Sequence, residues 1–220
     1  WIMDFASLLN DKQLAAVTTK SPFVRVIAGA GSGKTRVLTY RIAYLITHDR
    51  VDPHQILAIA FTNKVAQEMS HRATELVEKV TGHSTALAIA TFHAFCARFL
   101  RIEHAAIGYP ANYTIYDEDD QANLVRNCAA ELGYKKSDDI TKSALSYIRR
   151  NKGAGRYPID ITLGPGALDD EKTCHKIYTL YESRKTASFA FDFDDLLCQT
   201  ILLLENDDEI RDHWSHRFSH

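Results

Sequence analysis

The sequence predicts an α/β fold, a parallel sheet core that carries an inserted all-helical region. Three observations carry that reading. Short apolar segments at 23–28, 56–61 and 87–91 alternate with segments of helical spacing. A glycine-rich turn follows the first apolar segment and opens a helix. From about Asp117 onward the apolar spacing is helical only. Strands that read as unbroken apolar runs are covered on both faces, and alternation with helices implies parallel pairing.

Taken in order, Asn10-Asp11-Lys12-Gln13 is a helix start. Asn10 is a good N-cap and Gln13 occupies the capping-box position three residues on. Phe23–Ala28 is β-branched and apolar, the pattern of a buried strand. A helix is expected from about Lys34 to Thr47, with Val37, Leu38, Ile42, Leu45 and Ile46 at helical spacing. Ile56–Phe61 is the second strand, Thr62-Asn63 a turn and cap, and Lys64–Val80 a helix. Leu87–Thr91 is the third strand and Phe92–His104 its helix. Helices follow at about 117–132, 138–151, 168–187, 192–205 and 207–217, broken by a glycine- and proline-bearing loop at Gly153–Pro165.

Ala28-Gly29-Ala30-Gly31-Ser32-Gly33-Lys34-Thr35 sits between strand and helix, the context a phosphate-binding loop requires. Backbone N–H groups at a helix start lack partners and carry partial positive charge. Glycines let that backbone wrap closely around phosphate oxygens. Lys34 adds a full charge for the β and γ phosphates, and the Thr35 hydroxyl can ligate Mg²⁺. Ala28 replaces the first glycine of the usual pattern, and Gly29, Gly31 and Gly33 keep the loop permissive.

The remaining composition is ordinary. With 45% hydrophobic and 25% charged residues the chain fits a soluble globular class, expected in the cytoplasm. No apolar run approaches membrane-spanning length, and the first residues lack the pattern of a secretory signal. Cysteines at 96, 128, 174 and 198 form no close pair and read as reduced thiols. A net charge of −2 gives no global sign of a nucleic-acid partner, although a phosphate-binding groove needs only local charge. Local charge is densest at Arg149, Arg150, Lys152 and Arg156, which fits either a solvated helix end or a DNA contact.

Four further segments narrow the task, because a phosphate loop alone says only nucleotide. Leu9-Asn10-Asp11-Lys12-Gln13 resembles the Q motif of the superfamily 1 DNA helicases of the UvrD/Rep/PcrA type. Ala60-Phe61-Thr62-Asn63-Lys64-Val65-Ala66-Gln67-Glu68-Met69 resembles their motif Ia, and Thr91-Phe92-His93-Ala94-Phe95-Cys96 their motif Ib. Phe191-Asp192-Phe193-Asp194-Asp195-Leu196-Leu197 resembles a segment that the family carries shortly before motif II.

The resemblance implies a RecA-like P-loop NTPase core at 1–104 and 191–220, with a helical insertion at 105–190. It implies ATP and Mg²⁺, and DNA unwinding with 3′→5′ movement on single-stranded DNA. Gln13 would read the adenine edge. Arg36 would lie near the base or be a surface helix arginine. Thr62, Asn63, Lys64, Thr91, Phe92 and His93 would line a single-stranded DNA path at the carboxyl ends of the strands. Phe92 could stack on a base, but its apolar ring favours the core. The insertion would touch duplex at single/double-strand junctions, through Arg149, Arg150, Lys152 and Arg156.

Asp192 reads as a helix cap, with Asp194 and Asp195 in the first turn, in preference to a metal site. His213, His216 and His220 read as part of a surface helix, in preference to metal ligands. Relatives carry the Asp-Glu of motif II and a second motor domain further on. These 220 residues alone are therefore expected not to hydrolyse ATP at a useful rate. Two alternatives stand beside the helicase reading. One is the helicase half of a RecB- or AddA-like helicase–nuclease, and the other is a nucleotide- or DNA-binding module without turnover.

Overall fold

The computed structural model describes residues 3–29, 31–134 and 138–220. Its contacts divide into two units, Trp1–Ala94 with Arg211–His220, and Phe95–Ile210. Helix α5, Phe92–Ile102, begins in the first unit and continues into the second, where the Tyr113 hydroxyl donates to Ala97 O at 2.8 Å and the Arg101 guanidinium lies over the Tyr113 ring.

In the first unit, α1 (Phe5–Leu8) leads into α2 (Asp11–Thr18). The capping box at the start of α2 forms as expected: Gln13 N donates to Asn10 Oδ1 at 2.9 Å, and Asn10 N donates to Gln13 Oε1 at 3.2 Å. Then come α3 (Lys34–Thr47), β1 (Leu57–Ala60), α4 (Asn63–Thr81) and β2 (Ala88–Thr91). Strands β1 and β2 pair in parallel, with Ala60 level with Thr91. The buried face of α3, with Val37, Ile42, Ala43, Leu45 and Ile46, shares one core with Ala73 and Val77 of α4. Gly82 ends α4 at φ 78°, a left-handed backbone that suits glycine, and its N–H closes onto Glu78 O.

One expected element does not form. Residues 23–28 are not a strand, and Phe23 is 91% and Ile27 85% exposed. A strand persists only where a neighbour takes its backbone hydrogen bonds. The start of β1 is engaged elsewhere: His220 N donates to Gln55 O at 3.1 Å, and Leu57 N donates to His220 O at 2.9 Å, the pattern of a parallel bridge. Segment 23–28 therefore keeps the composition of a strand without its pairing.

The second unit continues α5 and adds β3 (Thr114–Tyr116), α6 (Glu118–Glu131), α7 (Asp138–Gly153) and α8 (Asp169–Ala187). It ends with β4 (Ala190–Asp192) and α9 (Phe193–Asn206). Helix α10 (Asp208–Arg217) spans the boundary between the units. The helices match the sequence reading to within about two residues, the usual uncertainty at helix ends. Strand β4 corrects it: Ala190–Asp192 pairs in parallel with β3 where only helices were expected. A three-residue strand is too short to show a period of two. Val125, Cys128, Ala144, Ile148, Ile177, Tyr178 and Tyr181 form the apolar core.

Beside that core lies a buried ionic cluster. The Lys152 ammonium donates to Asp192 Oδ2 at 2.5 Å and Asp195 Oδ1 at 2.7 Å, and pairs with Glu182 Oε1 at 2.6 Å. Lys185 donates to Glu182 at 2.9 Å, to Asp192 at 3.3 Å, and to Asp195. Tyr181 Oη donates to Asp192 Oδ2 at 2.8 Å, and Tyr157 Oη to Asp195 Oδ1 at 3.0 Å. Burial opposes the charge on Lys152, but the carboxylates of Asp195, Glu182 and Asp192 raise its pKa above the ordinary lysine value. Burial likewise opposes the charge on Asp192, and the ammonium groups of Lys185 and Lys152 hold it below the ordinary carboxylate range.

The sequence places Lys152 in a basic stretch that fits either a solvated helix end or a DNA contact. Its side chain is fully buried and committed to three carboxylates, so it is not available to phosphate. Substitution Lys152→Met should destabilise the chain by about 3–5 kcal/mol, because breaking a buried pair strands its partners. Urea unfolding followed by circular dichroism reads this, and a loss below about 1 kcal/mol would show that the cluster relaxes without it.

Candidate nucleotide site and strand-end edge

The phosphate loop leads directly into α3. Gly33 is the N-cap at φ 88°, and Gly31 has φ 74°. Both lie in the left-handed region that glycine tolerates. At Gly33 a second constraint acts, since an added Cβ would come within 3.0 Å of Gln13 Nε2. The loop is closed on itself. Ser32 Oγ donates to Gly29 O at 2.7 Å, and Lys34 Nζ donates to Ala28 O at 3.0 Å and Gly29 O at 2.8 Å. Lys34 is nevertheless exposed, and Thr35 is half-buried in the first turn of α3. Ala30, predicted as part of the loop, lies outside the described residues.

Gln13 and Arg36 tie α1 and α2 to this loop. Gln13 Nε2 donates to Ser32 O at 3.3 Å while its Oε1 holds the α2 cap. Arg36 donates to Leu8 O at 2.8 Å, and its guanidinium lies over the Tyr40 ring. The structure thus brings Gln13, Ala28, Gly29, Gly31, Ser32, Gly33, Lys34, Thr35 and Arg36 into one neighbourhood. The donor set fits a nucleotide and its cation: backbone N–H groups at a helix start, one exposed ammonium held only by loop carbonyls, and one hydroxyl at the helix opening.

The second predicted group follows the strand ends. With Ala60 level with Thr91, the residues after them, Phe61 and Phe92, emerge side by side, ring centroids 5.6 Å apart. Asn63, Lys64 and His93 are exposed in the first turns of α4 and α5. Thr62 and Thr91 are engaged as caps instead, Thr62 exposed and Thr91 buried. Thr62 Oγ1 accepts from Val65 N at 3.3 Å and Thr91 Oγ1 from Ala94 N at 3.2 Å, so each hydroxyl caps a helix, and Thr91 is buried.

Two aromatic positions differ from the sequence reading. Phe92 was favoured for the core and is 46% exposed. Phe61 ends an apolar strand in the sequence reading and is 91% exposed. A continuous apolar run carries no alternation to show where burial stops, so the sequence held no signal for it.

The acidic segment behaves as a cap. Asp192 Oδ1 accepts from Asp195 N at 2.9 Å and Asp192 N donates to Asp195 Oδ2 at 2.8 Å. Asp192 and Asp195 group with Glu182 closely enough to hold a metal ion, but the ammonium groups of Lys152 and Lys185 already occupy that position. No metal-holding histidine group occurs among the described residues, the carboxyl-terminal histidines included. The four cysteines are free thiols. No helix among the described residues is long and apolar enough to cross a membrane.

Comparison with known proteins agrees with the motifs. The model of the UvrD/REP helicase N-terminal domain matches residues 9–220. A probable DNA helicase II homolog of Mycoplasma capricolum is 38% identical over 97% of the chain and 30% of its own length. The ATP-dependent DNA helicase UvrD1 of Mycobacterium leprae is 37% identical over 96% of the chain and 27% of its own length. DNA helicase II of Haemophilus influenzae is 36% identical over the whole chain and 30% of its own length. The chain therefore spans less than a third of the curated relatives it matches. With the family model covering all but its first eight residues, the chain belongs to the UvrD/Rep helicase family, of which it represents the N-terminal domain.

Proposed function

We propose that this chain is the ATP-binding part of a DNA helicase that moves 3′→5′ on single-stranded DNA and opens duplex at junctions. The observation that carries the reading is the joined loop and Q motif. The phosphate loop opens α3, and the Gln13 amide is bonded to its Ser32 carbonyl. Residues 1–104 with 191–220 form the RecA-like core in this reading, and 105–190 the insertion.

On nucleotide binding, Lys34 would leave the carbonyls of Ala28 and Gly29 for the β and γ phosphates. The backbone N–H groups at the start of α3 would hold phosphate oxygens. Gln13 would present its amide to the adenine edge, and Arg36 would flank the base. Thr35 would hold Mg²⁺, which neutralises charge on the phosphates. Single-stranded DNA would run along Asn63, Lys64 and His93, with bases against Phe61 and Phe92. Thr62 and Thr91 act by fixing the two helix N-termini, whose N–H groups face the phosphates.

Strand β3 (Thr114–Tyr116) runs into Asp117-Glu118, but Asp117 caps α6 there. Turnover in this reading needs the Asp-Glu of motif II and a second motor domain. A helicase half of a helicase–nuclease shares every feature above, and a nuclease domain in the longer protein would single it out.

Three outcomes are expected. Lys34→Ala should weaken binding of a fluorescent ATP analogue to this chain by about tenfold or more, the loss of a charged hydrogen-bond partner. Equal affinity would remove the phosphate role of Lys34. Phe61→Ala should weaken binding of oligo-dT by about 1–3 kcal/mol through lost stacking, measured by fluorescence anisotropy at fixed salt, and an unchanged affinity would take the DNA path off this edge. ATP hydrolysis stimulated by single-stranded DNA should appear only in a longer polypeptide carrying these residues, and should vanish there with Lys34→Ala. Brisk Lys34-dependent turnover by the 220 residues alone would overturn the division of labour.

A further inference from the structure

The ionic cluster of the second unit is not balanced. Lys152 and Lys185 supply two positive charges, and Glu182, Asp192 and Asp195 supply three negative ones. One negative charge is left over in a buried place, where an unpaired charge is costly. The excess has an outlet. Glu182, Lys185 and Asp195 form the charged floor of a cavity of about 560 Å³. Lys185 and Asp195 are almost wholly buried, whereas the Glu182 side chain keeps 14% exposure.

The walls of this cavity are aromatic. Tyr109 and Phe191 stack face to face with centroids 4.4 Å apart, and Tyr157 stands over the cluster with its hydroxyl on Asp195. Ile159, 93% exposed, stands at the edge of the opening. His175 also lines the cavity, and its Nδ1 is buried without a hydrogen-bond partner. Burial pushes the Glu182 carboxyl above its usual range despite both neighbouring ammonium groups.

Three ligand classes can be weighed against this chemistry. A bare metal ion is excluded from the cluster because the two ammonium groups sit among its three carboxylates. A phosphate or other anion would meet a floor of net negative charge. An organic cation meets a carboxylate with charge to spare, aromatic faces that attract it, and a lining imidazole, His175, whose Nδ1 has no hydrogen-bond partner. A planar guanidinium uses all three, since it donates in the plane and stacks with its faces.

We propose that this cavity is a docking site for an arginine side chain of a partner polypeptide, with Glu182 accepting its N–H groups and Tyr109, Tyr157 and Phe191 as its walls. The site is separate from the nucleotide loop and the strand-end edge, and it does not depend on the helicase reading.

The test uses acetyl-arginine-amide as probe, with acetyl-citrulline-amide as its uncharged counterpart, titrated into the chain by NMR. The arginine probe is expected to shift resonances around the cavity saturably, and the citrulline probe is not. Glu182→Gln balances the cluster at two charges of each sign while keeping its shape. It should weaken the arginine probe by about tenfold or more while leaving the melting temperature unchanged or higher. If Glu182→Gln melts lower, Ile159→Trp carries the decision. It crowds the opening from an exposed position, and loss of probe binding there supports the site. Binding of both probes alike, no saturable shift with wild-type chain, or full binding in the variants would overturn the proposal.

Discussion

The parallel register of β1 and β2 is the constraint on which the first unit's surface chemistry depends. Because Ala60 is level with Thr91, both strands end at the same height and both hand over to a helix at once. Each handover is made by a threonine that ends its strand region and caps the next helix. The two helix N-termini therefore open side by side, and the residues that cannot be buried at the handover, Phe61 and Phe92, meet in front of them. A slip of one residue would move each side chain to the opposite face of its strand and separate these groups. The candidate DNA edge is thus a consequence of strand pairing, and the threonines contribute to it as caps.

Much of this was legible in the sequence, and the reasons are local. Asn10 and Gln13 announce a capping box, and it forms. The glycines at 31 and 33 announce a permissive loop before a helix, and both adopt positive φ. Asp192 announces a cap, and it caps α9. Each depends on residues within a few positions of one another, which is what a sequence displays directly. What was not legible depends on partners distant in the chain. Segment 23–28 has the composition of a strand, but composition cannot state whether a neighbour is present to pair. Lys152 stands among arginines in sequence, yet its environment is set by Asp192 and Asp195, some forty residues on. Charge density along the chain reports nothing of that.

The contrast between Lys152 and Arg149 shows why proximity in sequence misleads. They are three positions apart on α7. Arg149 lies outside, half exposed, against an exposed Glu118 at 3.2 Å, an ion pair of small energetic weight. Lys152 points inward and holds the end of α7 to the β4–α9 junction. One basic stretch thus divides into a solvated part and a structural part, and only Arg149, Arg150 and Arg156 keep the chance of meeting phosphate. The same inward turn lowers the surplus negative charge of the cluster to one, because two lysines then face three acids.

The phosphate loop carries a comparable economy of partners. Lys34 rests on two carbonyls of its own loop, and Gln13 divides its amide between the α2 cap and Ser32. Neither group is idle, so a nucleotide gains only the difference between the new contacts and those it displaces. For Lys34 that difference is large, since a phosphate oxygen carries a full charge and a carbonyl does not. For Gln13 it is small, since an adenine edge offers neutral partners much like those given up. The phosphate contacts should therefore dominate affinity, and the base contact should act mainly through the shared amide. In the proposed reading, an adenine that took Gln13 Nε2 would release Ser32 O, and with it the bond that ties α2 to the loop.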